Sequence, residues 1–334
     1  MRTLSVDPTH PDPLVVVEAV DVLLGGGLVA FPTETVYGLG ARLFDERALG
    51  RVFLAKGRPT SHPLIAHVLG ESQAKGLAAV WPELASRMAR AFWPGPLTLV
   101  VSRSGALGPA VSGGTDSIAV RSPVHPVARA LIATLGEPIA APSANRYQSL
   151  SPTTAAHVAR SLGGNVDLLL DGGPCSEGIE STVIDVRAGH ARVLRLGAID
   201  LPALRLVDPG VTLVTKEPAA SEARPSPGMD LRHYAPRAKL WVAPGRDEAL
   251  AGARGRLAGG EWVGVVLRGD LRGDESVGRA VVHVLPDDPA EYAHRLYATL
   301  HALDAEGVDA IVVEAVPDDE RWAAIADRLR RGSA

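Results

Sequence analysis

One cysteine, Cys175, is all that the 334 residues contain. An intrachain disulfide and a cysteine-built zinc cage are therefore excluded, and the thiol usage fits a reducing cytoplasm. Aromatic residues are scarce, at 4%, too few to suggest a surface on which successive nucleobases stack. There is no excess of positive charge either. Lys and Arg number 34 against 38 Asp and Glu, a formal charge of −4, which argues against a chain built to coat nucleic acid. A local cationic pocket stays compatible with that balance, because net charge describes the whole surface and not one cleft.

Long apolar runs are missing too. None approaches the ~20 residues that span a bilayer, and residues 1–10 lack the charged-then-apolar layout of a signal peptide. The expectation is a soluble cytoplasmic protein with no membrane contact. The common nucleotide signatures are also lacking. The glycine-rich stretches Gly25–Gly27 and Gly38–Gly40 have no following lysine, so no G-x-x-x-x-G-K-[ST] loop exists. Gly38-Leu39-Gly40 lacks the third glycine of a dinucleotide fingerprint. No HExxH or paired His/Asp cluster suggests a protein-built metal site. Lysine itself occurs only at positions 56, 75, 216 and 239, so Lys56 stands out against an arginine-rich background.

What is present points to two domains, since 334 residues with 46% hydrophobic content exceed one ordinary core. Residues 14–24 have helical apolar spacing, and Gly25–Gly27 ends that helix. Short buried strands are expected at 28–31, 64–68, 97–101, 117–121, 139–141, 168–170, 182–186 and 193–196. Helices are expected between them at 46–55, 83–92, 126–135 and 153–162, the last opened by Ser151-Pro152-Thr153. This mixture predicts an α/β domain with a twisted mixed sheet over 1–206. Periodicity then fades, and prolines recur at 209, 218, 225, 227 and 236. That composition marks a linker over 207–238. From 239 to 334 strand and helix alternate again, predicting a smaller, Rossmann-like open-sheet α/β domain.

Several segments carry groups suited to a ligand. Pro32-Thr33-Glu34-Thr35-Val36-Tyr37-Gly38-Leu39-Gly40 reads as a loop that puts small hydroxyls and a tyrosine after a buried strand, either as a ligand loop or as a threonine-rich turn. Lys56-Gly57-Arg58 delivers two cations at a helix end. The pair suits a polyphosphate, because lysine offers a point charge and arginine a planar fork. It equally suits the helix dipole. Arg121 and Arg195 lie at the ends of apolar strands, pointing either into a cleft or to water. Pro142-Ser143-Ala144-Asn145 and Glu180-Ser181-Thr182 flank strands with small polar groups. Trp93-Pro94-Gly95-Pro96-Leu97-Thr98 reads as rigid scaffold, Cys175 as a bystander thiol, and His125, His283, His294 and His301 as packing or surface residues.

Together these segments resemble the YrdC-like family of threonylcarbamoyl-AMP synthases. The resemblance rests on PTETVYGLG at 32–40, KGRPTSHPLIAHV at 56–68, WPGPLT at 93–98, AVRSP at 119–123, APSAN at 141–145, GIESTVID at 178–185 and VLRLGAI at 193–199. In the linker, Ser226-Pro227-Gly228-Met229 and His233-Tyr234-Ala235-Pro236 look like the segment that precedes a second domain in longer members. Asp230-Leu231 departs from the more basic or aromatic residues expected there. The resemblance implies an enzyme that makes threonylcarbamoyl-AMP and pyrophosphate from L-threonine, bicarbonate and ATP, with Mg²⁺ arriving on ATP and no prosthetic group. ATP would lie against Lys56, Arg58, His62, Ser117, Ser143, Asn145, Ser151, Arg195 and Tyr234. Threonine would sit by Thr35, His67, Arg121, Ala141 and Ser181. Lys56 and Arg58 would be catalytic, no protein metal site is implied, and the linker would close over the nucleotide. The product would pass to a tRNA threonylcarbamoyl transferase complex, with a weak tRNA contact. The rival readings are a non-catalytic RNA-binding module and a carbamoyl-transfer enzyme sharing the fold.

Overall fold

A computed structural model describes residues 1–214, 232–271, 275 and 277–334. The chain forms two compact units, Met1–Tyr147 with Ser151–Met229, and Gln148–Leu150 with Asp230–Ala334.

The first unit opens with β1 (Arg2–Ser5), α1 (Pro13–Leu24), β2 (Val29–Phe31), β3 (Gly38–Arg42), α2 (Glu46–Lys56), β4 (Ile65–His67), α3 (Glu71–Leu77) and β5 (Ala78–Val80). It continues with α4 (Glu83–Phe92), β6 (Leu97–Arg103), α5 (Pro109–Ser112), β7 (Ser117–Arg121), α6 (Pro126–Leu135), β8 (Ile139–Ala140) and α7 (Ala155–Leu162). It ends with β9 (Leu168–Asp171), β10 (Thr182–Asp185), β11 (Arg192–Arg195), α8 (Leu201–Val207) and β12 (Thr212–Leu213). These strands form one mixed sheet in the order β1-β9-β2-β3-β8-β4-β7-β6-β10-β11-β12, with β5 paired to β6.

The strands alternate, and that alternation divides the core. One face carries Ala30, Leu39, Ala66, Leu97, Leu99, Val101, Ile118 and Val120 beneath α2, α4, α7 and α8. The opposite face carries Val29, Phe31, Ile139, Ala141, Leu168 and Leu170 beneath α1 and α6. Farther along that second face lies a smaller apolar group, Ile65, Val100, Ala119, Val183 and Leu194. A row of polar residues lies beside this group.

Some elements differ from the sequence expectation. Gly38-Leu39-Gly40 is part of strand β3, not of a loop. A side chain at 40 would meet the Phe31 ring at 2.7 Å and the Val29 carbonyl at 3.1 Å, so the glycine lets β3 lie close against β2. Thr154, and not Ser151, caps α7, its side chain accepting from the His157 amide. Regular structure continues past residue 206, through α8 and β12, the latter pairing with β11. The Ser226–Met229 and Asp230-Leu231 segments lie outside the described residues.

The second unit comprises β13 (Lys239–Ala243), α9 (Arg246–Ala258), β14 (Val263–Arg268), β15 (Val281–Leu285), α10 (Pro289–Glu306), β16 (Ala310–Glu314) and α11 (Ala323–Gly332). Its four strands are all parallel, in the order β13-β16-β14-β15. Crossover helices give the open, doubly wound pattern. Gln148–Leu150 join this unit through the backbone: the Ala235 amide donates to the Gln148 carbonyl at 3.0 Å, and Ser149 bridges Ala235. No described helix of either unit is long and apolar enough to cross a membrane.

Candidate active site

The register of the first sheet lines up one row of residues across five strands. His67 on β4 stands opposite Arg121 on β7, Arg121 opposite Thr98 on β6, Thr98 opposite Val183 on β10, and Val183 opposite Arg195 on β11. Residues paired across strands project from the same face. His67, Arg121, Thr98 and Arg195 are all buried. Buried polar groups are costly without partners, so their contacts define the site.

Arg121 carries the most consequential set. Its Nη1 donates to Thr35 Oγ1 at 2.8 Å, and its Nη2 lies 2.6 Å from Glu34 Oε1. Among the described residues its Nε has no acceptor, although it is buried. The guanidinium therefore keeps donor capacity that a carboxylate could use. Thr35 is held by Thr33, whose Oγ1 lies 2.9 Å from Thr35 Oγ1 and donates to the Val36 carbonyl at 2.6 Å. Glu34 Oε2 accepts from the Val124 amide at 3.3 Å, and the Glu34 carbonyl accepts from the Glu177 amide at 2.7 Å. One residue thus ties the 32–37 turn to the start of α6 and to the segment leading into β10.

His67 neighbours Arg121 in the row and meets the Phe31 ring edge-on at 6.3 Å. Burial first, and the Arg121 charge second, hold its imidazole down to about 3. It is neutral at ordinary pH, with Nδ1 3.2 Å from the Ile65 carbonyl. A neutral ring can accept a hydrogen bond from an ammonium or a hydroxyl without adding charge.

At the other end of the row, the Arg195 side chain folds onto Ser181. Its Nε and Nη2 donate to the Ser181 carbonyl at 3.2 and 2.9 Å, and Nη2 also donates to Ser181 Oγ at 3.0 Å. Ser181 Oγ in turn lies 2.7 Å from Thr98 Oγ1. Nearby, Ser151 Oγ donates to Glu180 Oε1 at 2.5 Å.

Lys56 ends α2, which Gly57 terminates in the left-handed conformation at φ 62°. Its Nζ donates to the carbonyls of Ser143 and Asn145 at 2.5 and 2.6 Å, and to Asn145 Oδ1 at 3.2 Å. Burial, then the Arg58 charge, push this amine well below its usual range. Three oxygen acceptors oppose that by favouring the protonated form. All three acceptors of Nζ lie on the 143–145 segment. That segment is also zipped to the threonine-rich turn: the Leu39 amide donates to Pro142, the Ala144 amide to Tyr37, and Gly38 bridges Ser143. Ala141 lies buried where its amide donates to the Ile65 carbonyl at 2.9 Å.

Arg58 is buried beside Lys56, its Nη2 donating to the Pro63 carbonyl at 3.1 Å. His62 packs edge-on against Tyr147 at 5.4 Å. Ser117 is buried at the start of β7 and shares a strand face with Ala119 and Arg121, about 13 Å from Arg121 along the strand. Tyr234 belongs to the second unit, buried there at φ 60° with its ring 6.0 Å from Tyr297 and beneath the Arg328 guanidinium. Among the described residues no cluster of His, Cys, Asp and Glu could hold a metal ion.

Sequence reasoning overlooked Thr98 and the side chains of Glu34 and Glu180. The signal for Thr98 was present: in Leu97-Thr98-Leu99-Val100-Val101 it is the one polar residue of an apolar strand, facing opposite to both leucines. His125, read as a packing or surface residue, caps α6 through Nδ1, which accepts from the Val127 amide at 3.2 Å. Cys175 is buried, and desolvation pushes its thiol upward, away from a reactive thiolate.

Two family models match this chain, and they meet at residue 197. Residues 21–197 match the Sua5_yciO_yrdC family, described as "Telomere recombination", and residues 197–334 match "Threonylcarbamoyl-AMP synthase, C-terminal domain". A threonylcarbamoyl-AMP synthase from Pyrococcus abyssi is 41% identical over 317 residues, covering 92% of this chain and 91% of its own. One from Bacillus subtilis is 38% identical over 321 residues, covering 95% and 92%. The crystal structure of P. abyssi Sua5 complexed with L-threonine superposes with a TM-score of 0.91 at 37% identity, covering 100% of this chain and 98% of that one.

Proposed function

We propose, from the premise that this chain belongs to the Sua5/YciO/YrdC family and carries its threonylcarbamoyl-AMP synthase C-terminal domain, that the row along the first sheet is where L-threonine and ATP meet. The reaction is L-threonine, bicarbonate and ATP to threonylcarbamoyl-AMP and pyrophosphate, a step of tRNA threonylcarbamoyladenosine modification. The observation that carries the reading is the row itself. Two buried arginines, Arg121 and Arg195, stand on one sheet face with neutral His67 and the hydroxyls of Thr35, Thr98 and Ser181 around them.

Arg121 receives the threonine carboxylate through its open Nε edge, with Glu34 as counter-ion behind it. Thr35, Ala141, His67 and Ser181 surround the rest of the amino acid. Threonine's ammonium gives up one proton to solvent, and the resulting amine takes up bicarbonate carbon, releasing water and leaving an N-carboxylate. An oxygen of that carboxylate attacks the α-phosphorus, the bond to the β-phosphate oxygen breaks, and pyrophosphate leaves. Negative charge gathers on oxygen throughout, so fixed cations supply the stabilisation and the protein's work is positioning. Arg58 and Arg195 serve the phosphates, with His62, Ser117, Ser143, Asn145 and Ser151 lining the nucleotide. Lys56 joins them as the residue that sets the 143–145 segment. Mg²⁺ travels with ATP, held by phosphate oxygens and water, in keeping with its reluctance to dehydrate. A tRNA threonylcarbamoyl transferase complex receives the labile product in the cytoplasm.

The test is pyrophosphate release by the full chain with each of threonine, bicarbonate and ATP omitted in turn. Release requires all three. Release that ignores threonine, or none at all, refutes the assignment.

A further inference from the structure

Thr98 has no solvent exposure and sits at the centre of the row, between Arg121 and Arg195. Its strand neighbours Leu97 and Leu99 belong to the apolar core. A hydroxyl there is a cost unless it is hydrogen-bonded, and valine would fill the same volume without one. The partner is Ser181 Oγ at 2.7 Å. Ser181 Oγ accepts from Arg195 Nη2 at 3.0 Å, so its rotamer is fixed from two sides. It cannot withdraw. Behind it, a Cβ at Gly197 would lie 2.4 Å from the Glu180 carbonyl oxygen, the Ser181 carbonyl carbon and the Thr182 amide nitrogen. The chain Thr98–Ser181–Arg195 is therefore pinned between strand β6 and the backbone at 197.

We propose that Thr98 is a positioning residue: its hydroxyl sets the Ser181 rotamer and, through it, the Arg195 guanidinium. One hydrogen-bond chain then aligns the amino-acid pocket and the phosphate pocket together. This rests on the proposed function, in which Ser181 faces threonine and Arg195 faces ATP. Thr98 touches neither substrate. Removing its hydroxyl should loosen both subsites at once, whereas a residue that only packs the strand would lower stability and leave both substrates' KM alone.

The experiment compares Thr98→Val, which keeps the shape, with Thr98→Ser, which keeps the hydroxyl. Pyrophosphate release is measured at varied threonine and varied ATP. Thr98→Val should raise KM for both substrates, roughly five- to tenfold, the scale of a lost hydrogen bond that orients a charged group. Thr98→Ser should recover most of that. In a Ser181→Ala background, Thr98→Val should change neither KM further, because the chain is already broken. An active Thr98→Val enzyme with wild-type KM values overturns the inference while leaving the proposed function intact. So does a rise for one substrate only, or full additivity with Ser181→Ala. A wild-type chain without threonine-dependent release would refute the function first, and the inference with it.

Discussion

Glu34→Gln is the sharpest single perturbation of this site, because it removes a charge and almost nothing else. The two side chains of the Glu34–Arg121 pair are 3% and 5% exposed and 2.6 Å apart. Glutamine keeps the volume and an oxygen for the Val124 amide. The guanidinium would be left in a desolvated place without its counter-ion. Breaking a buried pair on one side typically costs about 3–5 kcal/mol. For a unit of some two hundred residues that is a fall in Tm of roughly 10 °C. Circular-dichroism melts at neutral pH measure it, alongside threonine-dependent pyrophosphate release. The double variant Glu34→Gln/Arg121→Gln removes the stranded cation and should regain most of the lost Tm, while threonine dependence stays lost. A single variant melting within about 2 °C of wild type would refute the reasoning. So would a double variant no more stable than the single.

Other expectations follow from the same geometry. Arg58→Ala should lower pyrophosphate release by about 10²–10³, the usual cost of losing one fixed donor to a developing anion, measured at saturating substrates. Gly197→Ala must displace backbone at Glu180–Thr182, and should cost at least the ~1–3 kcal/mol of overpacking, read from denaturant melts. His67 is held down to about 3 in the folded chain against 6.5 when unfolded. Between those values the unfolded state binds the extra proton, so stability is full above pH 6.5 and falls as pH drops toward 3. The slope approaches ~1.4 kcal/mol per pH unit. His67→Gln should flatten the stability profile by that amount in that window.

Much of this architecture was legible in the sequence because it depends on local pattern. The strands at 97–101 and 117–121 and the helices at 46–55 and 126–135 lie within observed elements or match them. Buried strands and amphipathic helices announce themselves through period and cap. Strand β3 was hidden because its glycines serve a close approach between strands, and a close approach is a tertiary fact. Within the site, Arg121 stood out as a cation in an apolar strand. Its partner Glu34 did not, since 86 residues of sequence carry no sign that the two will meet. Lys56 shows a different limit. Its charge was legible, but its engagement with the Ser143 and Asn145 carbonyls depends on where β8 delivers the following segment.

Gln148–Leu150 belong by their contacts with the second unit, although the chain on either side, at Tyr147 and Ser151, belongs with the first. The polypeptide therefore passes between the two bodies three times, and no single cut separates them. A fragment truncated anywhere in 215–231 would retain that tripeptide while discarding Ala235, the group its backbone pairs with. The orphaned stretch lies between Asn145 and Ser151, so such a fragment would report a damaged loop in the first unit as well as a missing domain. Dissecting this protein calls for point changes at 235, not scissors.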